Sequence, residues 1–177
     1  MVKTELCSFC VKSGILCPKC QERLDKGRVT QLDLNVIRLL SELEKRYPML
    51  QEVRFHKAVE VGETLAIMVD RRDIGKIVDE EGTVLRAIGE QTGAKKIKIL
   101  GYGGDDRHFL EELLAPLSIL TINTVWLPDG SKETKAILQG RTPRYMPVDL
   151  EAVKQMAKEI QGITLRIEFE RQWNPPS

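Results

Sequence analysis

Apolar residues recur at three- and four-residue steps at Leu32, Val36, Leu39, Leu40 and Leu43. That period puts them on one face of a helix. Thr30 to Asp33 offers its N-cap, and Tyr47-Pro48 ends it. The pattern then changes to alternation. Val53, Phe55 and Val59 share one side of a strand over residues 52–60. Val61-Gly62-Glu63 turns the chain, and Leu65-Ala66-Ile67-Met68-Val69 reads as a second strand. Asp73 is expected to cap a short helix from Ile74 to about Val78. After residues 79–82 a longer helix carries Val84, Leu85 and Ile88 on one face and stops at Gly93. Lys95 to Leu100 alternates as a further strand. The first half thus reads α-β-β-α-turn-α-β.

Gly101-Tyr102-Gly103-Gly104 reads as a flexible break. Asp105-Asp106 then opens a helix with Phe109, Leu110, Leu113 and Leu114 apolar, and Pro116 ends it. Ser118–Leu127 and Lys132–Leu138 are predicted strands around the turn Pro128-Asp129-Gly130-Ser131. Leu150 to Ile160 is predicted helical, Gly162 stops it, and Ile163 to Phe169 alternates as a last strand. The second half repeats the first, except that residues 139–149 replace the short helix and its turn. Pro143 and Pro147 oppose a helix there. This loop carries Arg141, Arg144 and Tyr145. Arginine offers phosphate paired donors and tyrosine can stack on a base, so it is the candidate for direct RNA contact. The end, Asn174-Pro175-Pro176-Ser177, is expected to be disordered.

Composition narrows the functional classes. The 177 residues are 42% hydrophobic, enough for a real core, and 30% charged. The net charge of +1 provides no global basic field, so nucleic acid would have to be met by a local patch. Aromatic residues make up 5%, which argues against a platform of several stacked bases. Neither a signal peptide nor a membrane span is expected, since no apolar run of suitable length occurs. Together with the cysteine usage this points to the cytoplasm.

All four cysteines fall in one short stretch, Cys7, Cys10, Cys17 and Cys20, as C-x2-C-x6-C-x2-C. Each C-x2-C turns two thiolates toward one point, and two such turns complete a tetrahedral four-sulfur site suited to structural Zn2+. Rubredoxin-type iron uses the same ligands, and a redox pair or free thiols are the other readings. Metal binding would supply the folding energy of so short a segment. Lys3 to Arg28 contains six basic and three acidic residues, an excess that could meet RNA or simply be solvated.

No enzyme is expected. No P-loop, nucleophile elbow or HExxH occurs, and the two histidines are far apart in sequence. His56 alternates away from Phe55 and is expected at the surface.

The stretch Ile77-Val78-Asp79-Glu80-Glu81-Gly82-Thr83-Val84-Leu85-Arg86-Ala87-Ile88, with the element order around it, resembles a KH domain of type II order. In that module a Gly-x-x-Gly turn between two helices brings backbone against four nucleotides. The pairing of two such halves, the second entered through Asp105-Asp106-Arg107-His108-Phe109 to Ala115-Pro116, resembles the archaeal NusA-like proteins. These are tandem-KH relatives of the transcription elongation and termination factor NusA. The resemblance covers about residues 30 to 170. It implies an α+β fold of two KH-like units, residues 29–101 and 102–177, the second lacking the turn. A four-cysteine zinc knuckle in residues 1–28 precedes them. It further implies single-stranded RNA as a partner, in the company of RNA polymerase or another transcription or RNA-processing protein. Arg71, Arg72 and Lys76 would edge the groove, and Gly82 would be the last glycine of the turn. The chain departs from the family where Asp79 replaces the first glycine and Glu80 and Glu81 follow it. Carboxylates there oppose phosphate. The alternative is a protein-interaction adaptor that keeps the scaffolds without binding RNA.

Overall fold

The computed structural model describes residues 1–79 and 81–170. Glu80 and the tail 174–177, with the expectations attached to them, lie outside the described residues. The fold is α+β, with seven α-helices and two three-stranded sheets among the described residues. The chain divides into two compact units, Met1–Gly103 and Gly104–Ser177.

The first unit begins with α1 (Ser8–Ser13), α2 (Pro18–Asp25) and α3 (Gln31–Leu43). Thr30 and Asp33 form a reciprocal capping box at the start of α3. Asp33 Oδ2 accepts the Thr30 N–H at 2.8 Å, and Thr30 Oγ1 accepts the Asp33 N–H at 3.1 Å. The other carboxylate oxygen of Asp33 accepts the Ala58 N–H at 2.7 Å, so the cap also fastens α3 to the sheet. That sheet contains β1 (Phe55–Val61), β2 (Thr64–Asp70) and β3 (Lys96–Tyr102). β1 and β2 are antiparallel, and β3 returns parallel to β2. Between β2 and β3 lie α4 (Ile74–Ile77) and α5 (Thr83–Thr92). β2 is buried from Thr64 through Val69.

Three details differ from the sequence reading. Residues 1–28 are expected as a separate knuckle with a linker at Lys26-Gly27-Arg28. Instead Val2, Leu6, Cys10, Val11 and Cys20 are buried in one core with Leu34, Ile37, Leu40 and Ile67. α1 packs on α3, and the Arg38 guanidinium donates to the Gly14 carbonyl at 2.8 Å. Gly101 and Tyr102 are not a break but the end of β3, paired with Val69 and Asp70. A Cβ on Gly101 would lie 2.8 Å from Arg71 Cζ, so glycine is there to admit an arginine. Asp73, buried, does not cap α4 through its side chain. It accepts the Arg54 N–H at 3.0 Å and the Lys76 ammonium at 2.8 Å.

The second unit repeats the sheet plan. α6 (Asp106–Leu114) precedes β4 (Ile119–Trp126) and β5 (Lys132–Leu138), and α7 (Leu150–Gln161) precedes β6 (Leu165–Phe169). β4 and β5 are antiparallel, while β5 and β6 are parallel. Phe109, Leu110, Leu113 and Met156 are fully buried in this unit, as are Ala136 and Leu138 of the sheet. No helix forms in residues 139–149. β4 is an edge strand without a charged residue, and it leaves Leu120, Val125 and Trp126 exposed. Among the described residues no helix is long and apolar enough to cross a membrane.

Candidate metal centre and nucleic-acid interface

Each C-x2-C is a helix start. Cys7 and Cys17 take the extended N-cap conformation of α1 and α2, and Cys10 and Cys20 lie in the turns that follow. The four Sγ atoms lie within 4.8 Å of one another. Cys7 Sγ is 3.1 Å from Cys10 Sγ, 4.0 Å from Cys17 Sγ and 3.9 Å from Cys20 Sγ. Disulfide sulfurs would be about 2.05 Å apart. A tetrahedron of thiolates with metal–sulfur bonds near 2.3 Å has edges of about 3.8 Å, close to the spacing found. The Cys17 backbone N–H donates to Cys10 Sγ at 3.1 Å. The residues therefore fit a single metal ion.

The four thiols differ in acidity. The Cys20 backbone N–H and the neighbouring thiols bring Cys17 down to about 6. Hydrogen bonding from Cys10 lowers Cys7. Burial raises Cys20. Cys10 accepts the Cys17 N–H, which lowers it, yet burial and its contacts with the other thiols push it up to about 12. Two thiols thus favour ionisation and two resist it. A divalent cation at the centre would let all four ionise.

The turn between α4 and α5 has its own logic. The Gly82 N–H donates to the Asp79 carbonyl at 3.2 Å, and Gly82 has φ +65°, in the left-handed region. A Cβ there would meet nothing within 4 Å, so backbone conformation rather than crowding calls for glycine. Asp79 Oδ1 accepts the Thr83 N–H at 2.9 Å, and its other oxygen accepts the Thr83 hydroxyl. Those bonds hold its carboxyl below the usual carboxylate value. Asp79, read from sequence as a charge opposing phosphate, is engaged in starting α5. Glu81 is exposed.

The candidate cations are placed as follows. Arg71 covers Gly101 and donates to the Gly103 carbonyl at 3.0 Å. Arg72 is exposed and lies 3.4 Å from Asp70. Lys76 pairs with Asp73 at 2.8 Å and Glu52 at 3.3 Å, and the Asp73 bond raises its pKa. In the second unit the Arg144 guanidinium lies 5.9 Å from the centre of the Tyr145 ring, and Tyr145 is 82% exposed. Arg141 lines a shallow groove beside Glu168 and Glu170. Arg144 and Tyr145 are thus brought together, while Arg141 has acidic neighbours.

One cluster was invisible to sequence reasoning. His56 is not a free surface residue: its Nε2 is 2.6 Å from Asp70 Oδ1, and its side chain is only 21% exposed. The His56 and Tyr102 rings stack, with centroids 3.9 Å apart and planes 10° from parallel. His56, Asp70 and Tyr102 come from three strands, and no local spacing links them.

No family model matches the sequence, and no curated protein matches it. Its structure is similar to the crystal structure of APE1850, with a TM-score of 0.51 at 12% identity. The match covers 76% of this chain and 96% of that one. At that identity the likeness concerns the fold alone.

Proposed function

We propose that the protein is a non-catalytic, RNA-binding factor of the NusA-like tandem-KH type, with structural zinc in its four-cysteine centre. The observation that carries this reading is the repeated sheet plan. Each unit has an antiparallel strand pair and a parallel third strand reached through a helix. In the first unit two helices flank a turn that ends in left-handed Gly82. Single-stranded RNA would lie on Arg144 and Tyr145, with Arg141 nearby, rather than on the carboxylate-bearing turn. Zinc would hold the four thiolates in a closed shell with no coordination position for chemistry. An RNA-binding factor of this kind would act in the cytoplasm alongside RNA polymerase or another RNA-processing protein.

Fluorescence anisotropy of the metal-loaded protein with random single-stranded RNA, over about 50 to 300 mM salt, tests the reading. Saturable binding that weakens with salt is expected. The double variant Arg141→Glu, Arg144→Glu should weaken binding about tenfold or more at the low-salt end, since it reverses two charges meant for phosphate. A flat titration of the wild type at the lowest salt would sink the proposal.

A protein-docking adaptor is the second reading, favoured by the uncharged, exposed edge of β4. Under it RNA titrations are flat, and a charge placed at Thr121 or Asn123 releases a bound protein.

A further inference from the structure

Three strands of the first unit end together at one aromatic corner. β1 has a register shift between Phe55 and Lys57, which frees His56 from the ladder. β2 ends in Asp70 and β3 in Tyr102, and these two are ladder partners. Asp70 holds the His56 ring, and the His56 ring supports that of Tyr102. Although one face of Tyr102 is covered by His56, the residue is still 58% exposed, so its opposite face is open to solvent. Both rings line a groove of about 560 Å³ beside the N-terminal segment. Lys3 and Arg54 also line it, and both are exposed. Glu5 is the acidic residue of that lining.

A planar ring held in place by a second ring is a stacking platform whose immobilisation is already achieved in the free protein. Stacking on an aromatic side chain suits any base, and two cations at the same groove suit a phosphate. The groove has room for one nucleotide. We infer that it takes a nucleobase of single-stranded RNA on the open face of Tyr102, with an adjoining phosphate on Arg54 and Lys3. This rests on the RNA-binding reading above and adds a contact point in the first unit, away from the turn at Gly82. It gives that unit a route to RNA that does not need the missing first glycine.

The test uses full-length, metal-loaded protein and a random single-stranded RNA pool carrying 2-aminopurine near its centre. Anisotropy reports binding, and the 2-aminopurine intensity reports stacking. Wild type should bind and quench the probe. Tyr102→Ala should lose the quenching and bind about five- to a hundredfold more weakly. Tyr102→Phe should retain both. Arg54→Gln should lower the salt slope by about one while leaving some quenching. Tyr102 is exposed, so its variants are expected to melt with the wild type, which a thermal scan verifies. Unchanged quenching and affinity in Tyr102→Ala would overturn the site and leave the RNA-binding reading standing. Binding without quenching in the wild type would do the same. Absence of binding in the wild type at low salt would overturn both.

Discussion

The two units share a strand order but not a burial pattern. In β1, Phe55, Ala58 and Val59 are buried; in β4, the corresponding strand, no residue is. The middle strands differ more. β2 is buried at six consecutive positions, whereas β5 is buried only at Ala136 and Leu138. A strand buried at consecutive residues must be covered on both faces. Leu65, Ile67 and Val69 face a core shared with α1 to α5, while Ala66 and Met68 on the other face are buried outside that core. The first unit has five helices, α1 to α5, and the second has two, α6 and α7. Repetition of a fold plan therefore does not repeat its energetics. The first unit also carries α1 and α2, which the second has no counterpart for, and the four cysteines lie at the starts of those helices.

The largest test of that difference is removal of the metal proposed for the four cysteines. Structural zinc in small sites contributes on the order of 10 kcal/mol, comparable to the whole stability of a domain. Chelation should strip hydrogen-exchange protection from α1, α2 and α3, while α6, α7 and β5 keep theirs. Equal loss in both units, or none, would break the comparison. Cys10→Ser should copy the effect of the chelator.

A smaller effect separates the two helix caps. Asp33→Ala removes a buried cap and strands the Ala58 N–H, which is expected to cost about 3 kcal/mol in urea unfolding. Asp149 caps α7 from an exposed position, accepting from Glu151 and Ala152. Asp149→Ala should cost about 1 kcal/mol. Equal costs would mean that the link from Asp33 to the sheet contributes little.

The smallest effect is on acid stability. Burial opposes ionisation of Asp73, but the Lys76 ammonium and the Arg54 N–H outweigh it and lower its pKa from the ordinary carboxylate range. Hydrogen bonding from His56 likewise lowers Asp70. A carboxyl lowered on folding stabilises above its unfolded pKa, and that support fades as pH falls through the folded value. The first unit should lose stability below about pH 4, and Asp73→Asn should flatten the loss in a circular-dichroism titration. An unchanged titration would remove Asp73 from the account.

Much of this architecture was legible along the chain. The leucine period announced α3, alternation announced β1 and β3, and the C-x2-C pairs announced the four-cysteine cluster. Each of those signals is local. What escaped was set by distant partners. Gly101 looks like a hinge until Arg71 is seen lying against it. Asp79 looks like a misplaced charge until both its oxygens are found on Thr83. His56 alternates toward solvent, but the carboxylate that holds it is on the next strand and its stacking partner is on the one after. Asp33 was legible as a cap and illegible as a tie to Ala58, because a cap is read within one turn and a tie is not.

β4 has a further consequence, which concerns concentration and time rather than the folded state. Ile119–Trp126 is an eight-residue strand, five of whose residues are apolar, with no proline and no charge to keep a like segment away. Such stretches associate with their own kind whenever neighbouring structure opens. During refolding, self-association of this segment competes with its pairing to β5, and that competition grows with every increase in protein concentration. Recovery of native protein is therefore governed by dilution, and a single lysine on the open edge would relax that dependence.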